Sequence, residues 1–213
     1  MIILFGGEKG GTGKTTIAVQ MAVNRALQGR DVLLVDADKQ ASAQQWAATR
    51  SEDSHDPRIS CVAIYGRTLT AEIQALAGKY DDIVIDTRGA DAMELRAGML
   101  VADVLVTPSQ PSQFDIFTLS KMDRLVEDAR GFNDKLRAVI LVNMAPTNPN
   151  MTDESEMREY LADLPNYRLL ATTVKSRKIY RTCARDGMAV LEYDRPDPKA
   201  AEEMRQLTAE VWA

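Results

Sequence analysis

The apolar positions of this chain fall in short blocks, each closed by glycine, proline or an acid. "IILF" at 2–5 runs straight into glycines, and "DVLLVDAD" (31–38) ends on aspartates. "ISCVAIY" (59–65), "DDIVIDTRGA" (81–90, with the strand ending at Asp86) and "AVILVNMAP" (138–146) follow the same form. Brief apolar runs bounded by turn signals are the mark of strands buried on both faces. "DVLVTPSQPSQFD" (103–115) is a further strand, expected to break at Pro108 and Pro111. Between these blocks the period changes. From Thr15, Ile17, Met21 and Leu27 recur at roughly helical spacing until Gly29. Further helices are expected at 69–79, at Met93–Met99, up to about Ala129, near 152–164 and at 198–212, with "YRLLATTV" (167–174) as another apolar segment. Strands alternating with helices predict an α/β fold, a doubly wound, mainly parallel sheet with helices on both faces. With no repeat, low-complexity tract or linker, a single domain over 1–213 is expected, and 145–156 and 192–198 are surface connections.

Composition narrows the picture. A chain of 213 residues can bury a substantial core, and 45% hydrophobic with 27% charged residues is ordinary for a soluble protein. The net charge of −5 gives no global attraction to nucleic acid, so such binding needs a local patch. Cys61 and Cys183 are too few for a disulfide framework and lack metal-ligand spacing. With no bilayer-spanning apolar run, and a first strand that starts at residue 2, the expectation is a cytoplasmic protein.

The chemistry begins at "GGEKGGTGKTT" (6–16). A glycine loop between strand and helix turns several backbone N–H groups toward one anion, helped by the helix N-terminus. Gly10, Gly11, Thr12 and Gly13 form the cradle. Lys14 would reach the β- and γ-phosphates, Thr15 would ligate Mg²⁺, and Thr16 completes the turn. The usual pattern G-x-x-x-x-G-K-[ST] has glycine where this chain has Glu8, and it does not call for a second cation beside Lys14, here Lys9. Asp36, Asp38 and Asp86 are placed at strand ends, where parallel sheets gather ligands and where carboxylates hold Mg²⁺ directly or through water.

"KGGTGKTT" (9–16), "DADKQAS" (36–42), "IVIDTRG" (83–89) and "TPSQPSQFD" (107–115) together resemble the deviant Walker A, switch I, Walker B and switch II-side motifs of the ParA/MinD ATPases. The likeness is strongest over the first half of the chain and closest to the small ParA-type partition ATPases. It implies ATP and Mg²⁺ as cofactors and hydrolysis of ATP to ADP and phosphate. It also implies a sandwich homodimer in which Lys9 crosses to the partner's phosphates, Asp38 as the residue that positions or activates water, and Asp36 and Asp86 as supports for Mg²⁺. Two departures stand out: Lys39 replaces the proline of D-x-D-P-Q, and Asp86-Thr87-Arg88-Gly89 replaces D-x-P-P. Arg88 either senses nucleotide or faces solvent. Asn143 and Pro111 are neighbours of the base, or a cap and a turn.

One basic stretch stands out in this acidic chain. "KSRKIYRTCAR" (175–185) carries Lys175, Arg177, Lys178, Arg181 and Arg185 with no acid among them, and Lys178, Arg181 and Arg185 share a face at helical spacing. Such a face suits sequence-independent phosphate contacts, and the resemblance puts a DNA-contacting arginine at Arg177. The resulting expectation is a nucleoid-associated ATPase for plasmid or chromosome partition or cargo positioning, working with a ParB-like or small DNA-binding adaptor and without a membrane. The alternatives are a MinD-like membrane ATPase, which needs a basic amphipathic C-terminal helix that 199–213 does not supply, and a metabolic P-loop enzyme.

Overall fold

A computed structural model describes residues 1–90, 92–111, 116–148, 153–195 and 197–213. Seven strands form one sheet: β1 (Ile2–Gly7), β2 (Val32–Ala37), β3 (Ser60–Ala63), β4 (Asp82–Gly89), β5 (Val104–Ser109), β6 (Arg137–Ala145) and β7 (Arg168–Lys175). Their order is β3-β2-β4-β1-β5-β6-β7, and every pairing is parallel. The strand side chains alternate between faces, so each run feeds two cores. Ile3, Phe5, Val32 and Leu34 pack on one side with α1 (Lys14–Leu27), α2 (Ser42–Glu52), α7 (Lys178–Arg185) and α8 (Pro198–Val211). Leu4, Leu33, Val35 and Ile85 pack on the other with α3 (Leu69–Leu76), α4 (Met93–Met99), α5 (Ile116–Arg130) and α6 (Asp153–Leu161). The doubly wound expectation is met. β1 lies centrally, between β4 and β5, and the direction of strand addition reverses there, so the crevice beyond its carboxyl end is where a ligand belongs.

Several elements depart from the pattern of apolar positions. β5 does not break at Pro108, which pairs in register with Leu141. The pairing of β5 with β1 ends at Val106, so Pro108 has a strand neighbour on one side only, the kind of position at which a strand tolerates proline. β4 does not stop at Asp86: it continues to Gly89, which pairs with Gly7, and Asp86 therefore lies inside the strand beside Asp36. β3 is an edge strand with mostly exposed residues, despite its apolar run. The apolar spacing announces no helix at α2, because its buried positions are Ala43, Trp46 and an arginine, Arg50.

Candidate functional site

The glycine loop leaves β1 at Gly7 and enters α1 at Lys14. Gly13 is the N-cap residue of α1, with φ 87°, and no side chain caps the helix or places an acid in its first turn. The first-turn amides thus lack the usual side-chain acceptor, which is the condition for receiving an anion. Gly13 is required twice over. Its φ is left-handed, and a Cβ there would lie 2.5 Å from Asn143 Nδ2.

The loop is braced from four sides. Asn143, buried at the end of β6, donates from Nδ2 to the Thr12 carbonyl at 2.7 Å. Gln110 donates from Nε2 to the Gly11 carbonyl at 2.7 Å. Gly89 at the end of β4 touches the loop directly, since a Cβ there would stand 2.5 Å from the Lys9 oxygen. Glu8, which replaces the first glycine of the common pattern, forms an ion pair with Lys121 of α5. Gln110 is a residue that sequence reasoning passed over. Its partner lies 99 positions away, and nothing local marks it.

Lys14 is buried and donates from Nζ to the Lys9 carbonyl at 2.7 Å. Burial lowers its pKa, against the charges of Asp86 and Asp38. Lys9 is half-buried on the shoulder of the same loop. Asp36 and Asp86 are register partners on β2 and β4, yet their surroundings differ. Asp36 is fully buried and already used: its Oδ1 accepts from Asp38 N at 3.0 Å, and its Oδ2 from Gln44 N at 2.9 Å. Both oxygens of Asp86 are buried, and apart from the Thr15 hydroxyl beside them neither has a hydrogen-bond partner among the described residues. Burial pushes the Asp86 carboxyl up to about 7, and the neighbouring Asp36 adds to the rise; Thr15 and Lys14 oppose it.

A buried, unpaired carboxylate beside a threonine hydroxyl fits a bound cation, which would repay its desolvation. No cluster of three or more His, Cys, Asp or Glu side chains suited to a metal occurs among the described residues. That donor set matches Mg²⁺, which keeps its waters and takes one or two carboxylates with ligand phosphates. Asp38 follows the end of β2, with Oδ1 accepting from Gln40 N at 3.0 Å. Arg88 is exposed, which matches the solvent-facing alternative.

A cavity of 140 Å³ opens beside the loop, lined by Thr16, Asn143, Lys175, Ser176, Arg177 and Arg181 among others. Three residues of the basic stretch therefore stand next to the phosphate loop, a placement the stretch itself does not reveal. The stretch is also less free than its sequence suggests. Lys175 pairs with Glu154 at 2.5 Å, Arg177 with Glu203 at 2.7 Å, and Arg185 with Asp186 at 2.8 Å. Lys178 and Arg181 are exposed on α7. Pro111 is buried at the limit of the described chain, and the rest of its motif, 112–115, lies outside the described residues.

Residues 3–191 match the family model described as the CobQ/CobB/MinD/ParA nucleotide binding domain. The maintenance of carboxysome distribution protein A of Halothiobacillus neapolitanus is 26% identical over 204 residues, covering 95% of this chain and 92% of that protein. A plasmid partition protein of Borrelia burgdorferi, solved with AMPPNP, shares the fold with a TM-score of 0.77 at 20% identity, over 99% of this chain and 97% of that one. The septum site-determining protein MinD of Pyrococcus horikoshii, complexed with Mg-ADP, gives a TM-score of 0.74 at 21% identity, over 99% and 95%.

Proposed function

The chain belongs to the CobQ/CobB/MinD/ParA nucleotide-binding family, and from that premise we propose that it is an ATP-switched positioning ATPase. The observation that carries the proposal is the buried Asp86 carboxylate, with no hydrogen-bond partner but the Thr15 hydroxyl, close to Lys14 at the uncapped start of α1. The phosphates of ATP would lie over the amides of 10–15, with Lys14 turned from the Lys9 carbonyl toward them. The Thr15 hydroxyl and Asp86 would hold Mg²⁺, which supplies neutralisation of the β- and γ-phosphate charge. Asp36 has both oxygens engaged by backbone amides, so its part is to hold the segment that carries Asp38. Asp38 would then orient the attacking water. Lys9 would reach the phosphates of a second subunit in an ATP-dependent homodimer.

A relative named for carboxysome distribution and a structural neighbour named for plasmid partition support cargo positioning as the task. Exposed Lys178 and Arg181 would make non-specific phosphate contacts with DNA, doubled in a dimer. A partner protein would stimulate hydrolysis and release the ATPase from DNA. A membrane-bound alternative has less support, because the apolar residues of α8, Ala200, Met204, Leu207 and Val211, are spent in the core. No helix among the described residues is long and apolar enough to cross a membrane.

The test is equilibrium binding of a fluorescent ATP analogue with Mg²⁺. Lys14→Ala should lose binding by at least about 100-fold, since removing one partner of a buried charged contact costs about 3 kcal/mol or more. Near wild-type affinity would overturn the phosphate-site assignment.

A further inference from the structure

Helix α2 is attached at its two ends to different functional parts. At its start, Asp36 accepts from Gln44 N in the first turn and from Asp38 N in the preceding loop, at 2.9 and 3.0 Å. Between these two contacts sits Ala41 with φ 57° and ψ 31°. A non-glycine residue in that region costs roughly 1–2 kcal/mol, so the loop is held against a local preference. At its end, Arg50 is almost fully buried. Its guanidinium donates to the Pro57 carbonyl at 2.9 and 2.6 Å, to the Gly187 carbonyl at 3.0 Å, and to both oxygens of Glu192 at 2.5 and 2.9 Å. Trp46 adds a bond from Nε1 to the Met188 carbonyl at 3.4 Å, and its ring lies 5.5 Å from the Arg50 guanidinium.

Pro57 lies in the loop after α2, and the other acceptors belong to the turn that follows α7 directly. Gly187 touches α2 backbone to backbone, since a Cβ there would stand 2.6 Å from Arg50 N. Glu192 closes the turn by accepting from Ala189 N at 2.8 Å. Along its flank, by contrast, α2 borders a cavity of 440 Å³ that runs from Thr15 and Thr16 past Ser42, Gln45 and Trp46 to Arg185. The helix is therefore bonded at both ends, packed on the core through Ala43 and Trp46, and open along this one side.

We propose that α2 is a strut that sets the position of the turn after α7, and with it the basic helix, according to the state of the loop bearing Asp38, and that Arg50 is its positioning residue. The inference rests on the nucleotide reading above and goes beyond it by naming the path. Asp38 N, Asp36 and Gln44 N move as one hydrogen-bonded group. Any displacement of the loop on filling the phosphate site is passed to α2 and delivered through Arg50. A second route exists: Gln20 of α1 accepts from Val190 N at 2.7 Å. The test must separate the two.

Amide hydrogen exchange of the full chain, with and without AMPPNP and Mg²⁺, reads both ends at once. In the wild type, exchange should slow at 10–15 and, by about five- to tenfold, at 187–190. The double variant Arg50→Met with Glu192→Met removes the ion pair without stranding either charge. Because it also removes the acceptor of Ala189 N, the readout in it is the nucleotide-dependent slowing at 187, 188 and 190. The variant should keep the slowing at 10–15 and lose it at these positions. Trp46→Phe removes only the indole N–H and should lose part of it, which keeps the proposal testable if the double variant does not fold. Unchanged slowing at 187–190 in these variants would overturn the strut and assign the coupling to Gln20. Wild-type protection confined to 10–15 would overturn the coupling itself. Absence of protection at 10–15 would overturn the nucleotide reading and the strut together.

Discussion

Replacing Asp86 with asparagine should stabilise the nucleotide-free protein at neutral and alkaline pH, with an effect that shrinks as pH falls and vanishes below about pH 4. The carboxyl is buried, has no hydrogen-bond partner among the described residues other than the Thr15 hydroxyl beside it, and is pushed up to about 7. In the unfolded chain it returns to about 4. The folded state thus holds this proton more tightly. Between about pH 4 and pH 7 unfolding releases it, and stability falls as pH rises through that window. Each pH unit in the window costs about 1.4 kcal/mol, so the full penalty above about pH 8 approaches 4 kcal/mol. Asparagine has the same shape and no charge to desolvate. Other titrating groups are common to both proteins and cancel in the difference. The stability gained by Asp86→Asn should therefore be about 3 kcal/mol larger at pH 8 than at pH 5. For a chain of this size that is a shift on the order of 10 °C in relative melting temperature. The assay is denaturant or thermal unfolding by circular dichroism from pH 4 to pH 9, in chelator. Added Mg²⁺ should recover stability in the wild type at pH 8 and not in the variant, because a cation binds the ionised carboxylate. Parallel pH profiles for the two proteins between pH 5 and pH 8 would refute the reasoning, since they would mean that Asp86 titrates alike in both states.

Three further outcomes are expected. Gly89→Ala should weaken nucleotide binding about tenfold or more while changing no charged group, because its Cβ would meet the Lys9 carbonyl at 2.5 Å and displace the loop; titration with a fluorescent ATP analogue measures it, and wild-type affinity would show that the loop yields at no cost. Lys9→Ala should leave monomer binding of ATP within a few-fold and abolish the ATP-dependent dimer, read by light scattering with AMPPNP; a variant that still dimerises removes the cross-subunit role. Lys178→Ala with Arg181→Ala should lower the log–log salt slope of DNA binding by roughly 0.9 for each lost phosphate contact, equally on unrelated duplexes; Arg177→Ala should change it less, because Glu203 already holds that guanidinium at 2.7 Å, and anisotropy over a salt series that ranks Arg177 above Arg181 would reverse the assignment.

What the sequence disclosed and what it withheld divide along a physical line. The phosphate loop was legible because its requirements are local: Gly13 must adopt a left-handed φ, and Lys14 and Thr15 must follow it at the start of a helix. The parallel sheet was legible because strands buried on both faces need continuous apolar runs. Contacts between distant segments left no such trace. Asp36 and Asp86 look alike as acids after apolar runs, yet one carboxylate accepts from the amides of Asp38 and Gln44 and the other has no backbone amide on it among the described residues. Only the return of the chain into α2 gives the two register partners these different surroundings. The basic stretch shows the same limit from the other side. Its lack of acids within 175–185 suggested free charge, but Glu154 and Glu203 reach it from α6 and α8, so its charge is largely neutralised except at Lys178 and Arg181. Helix α2 escaped notice for a related reason. Its buried anchor is an arginine, which apolar spacing counts as surface and which becomes core only when Glu192, 142 positions away, closes on it. A charge inside a helix whose apolar pattern fails thus points to a long-range partner, and here that partner ties the end of α2, whose start is bonded to Asp36, to the turn after α7.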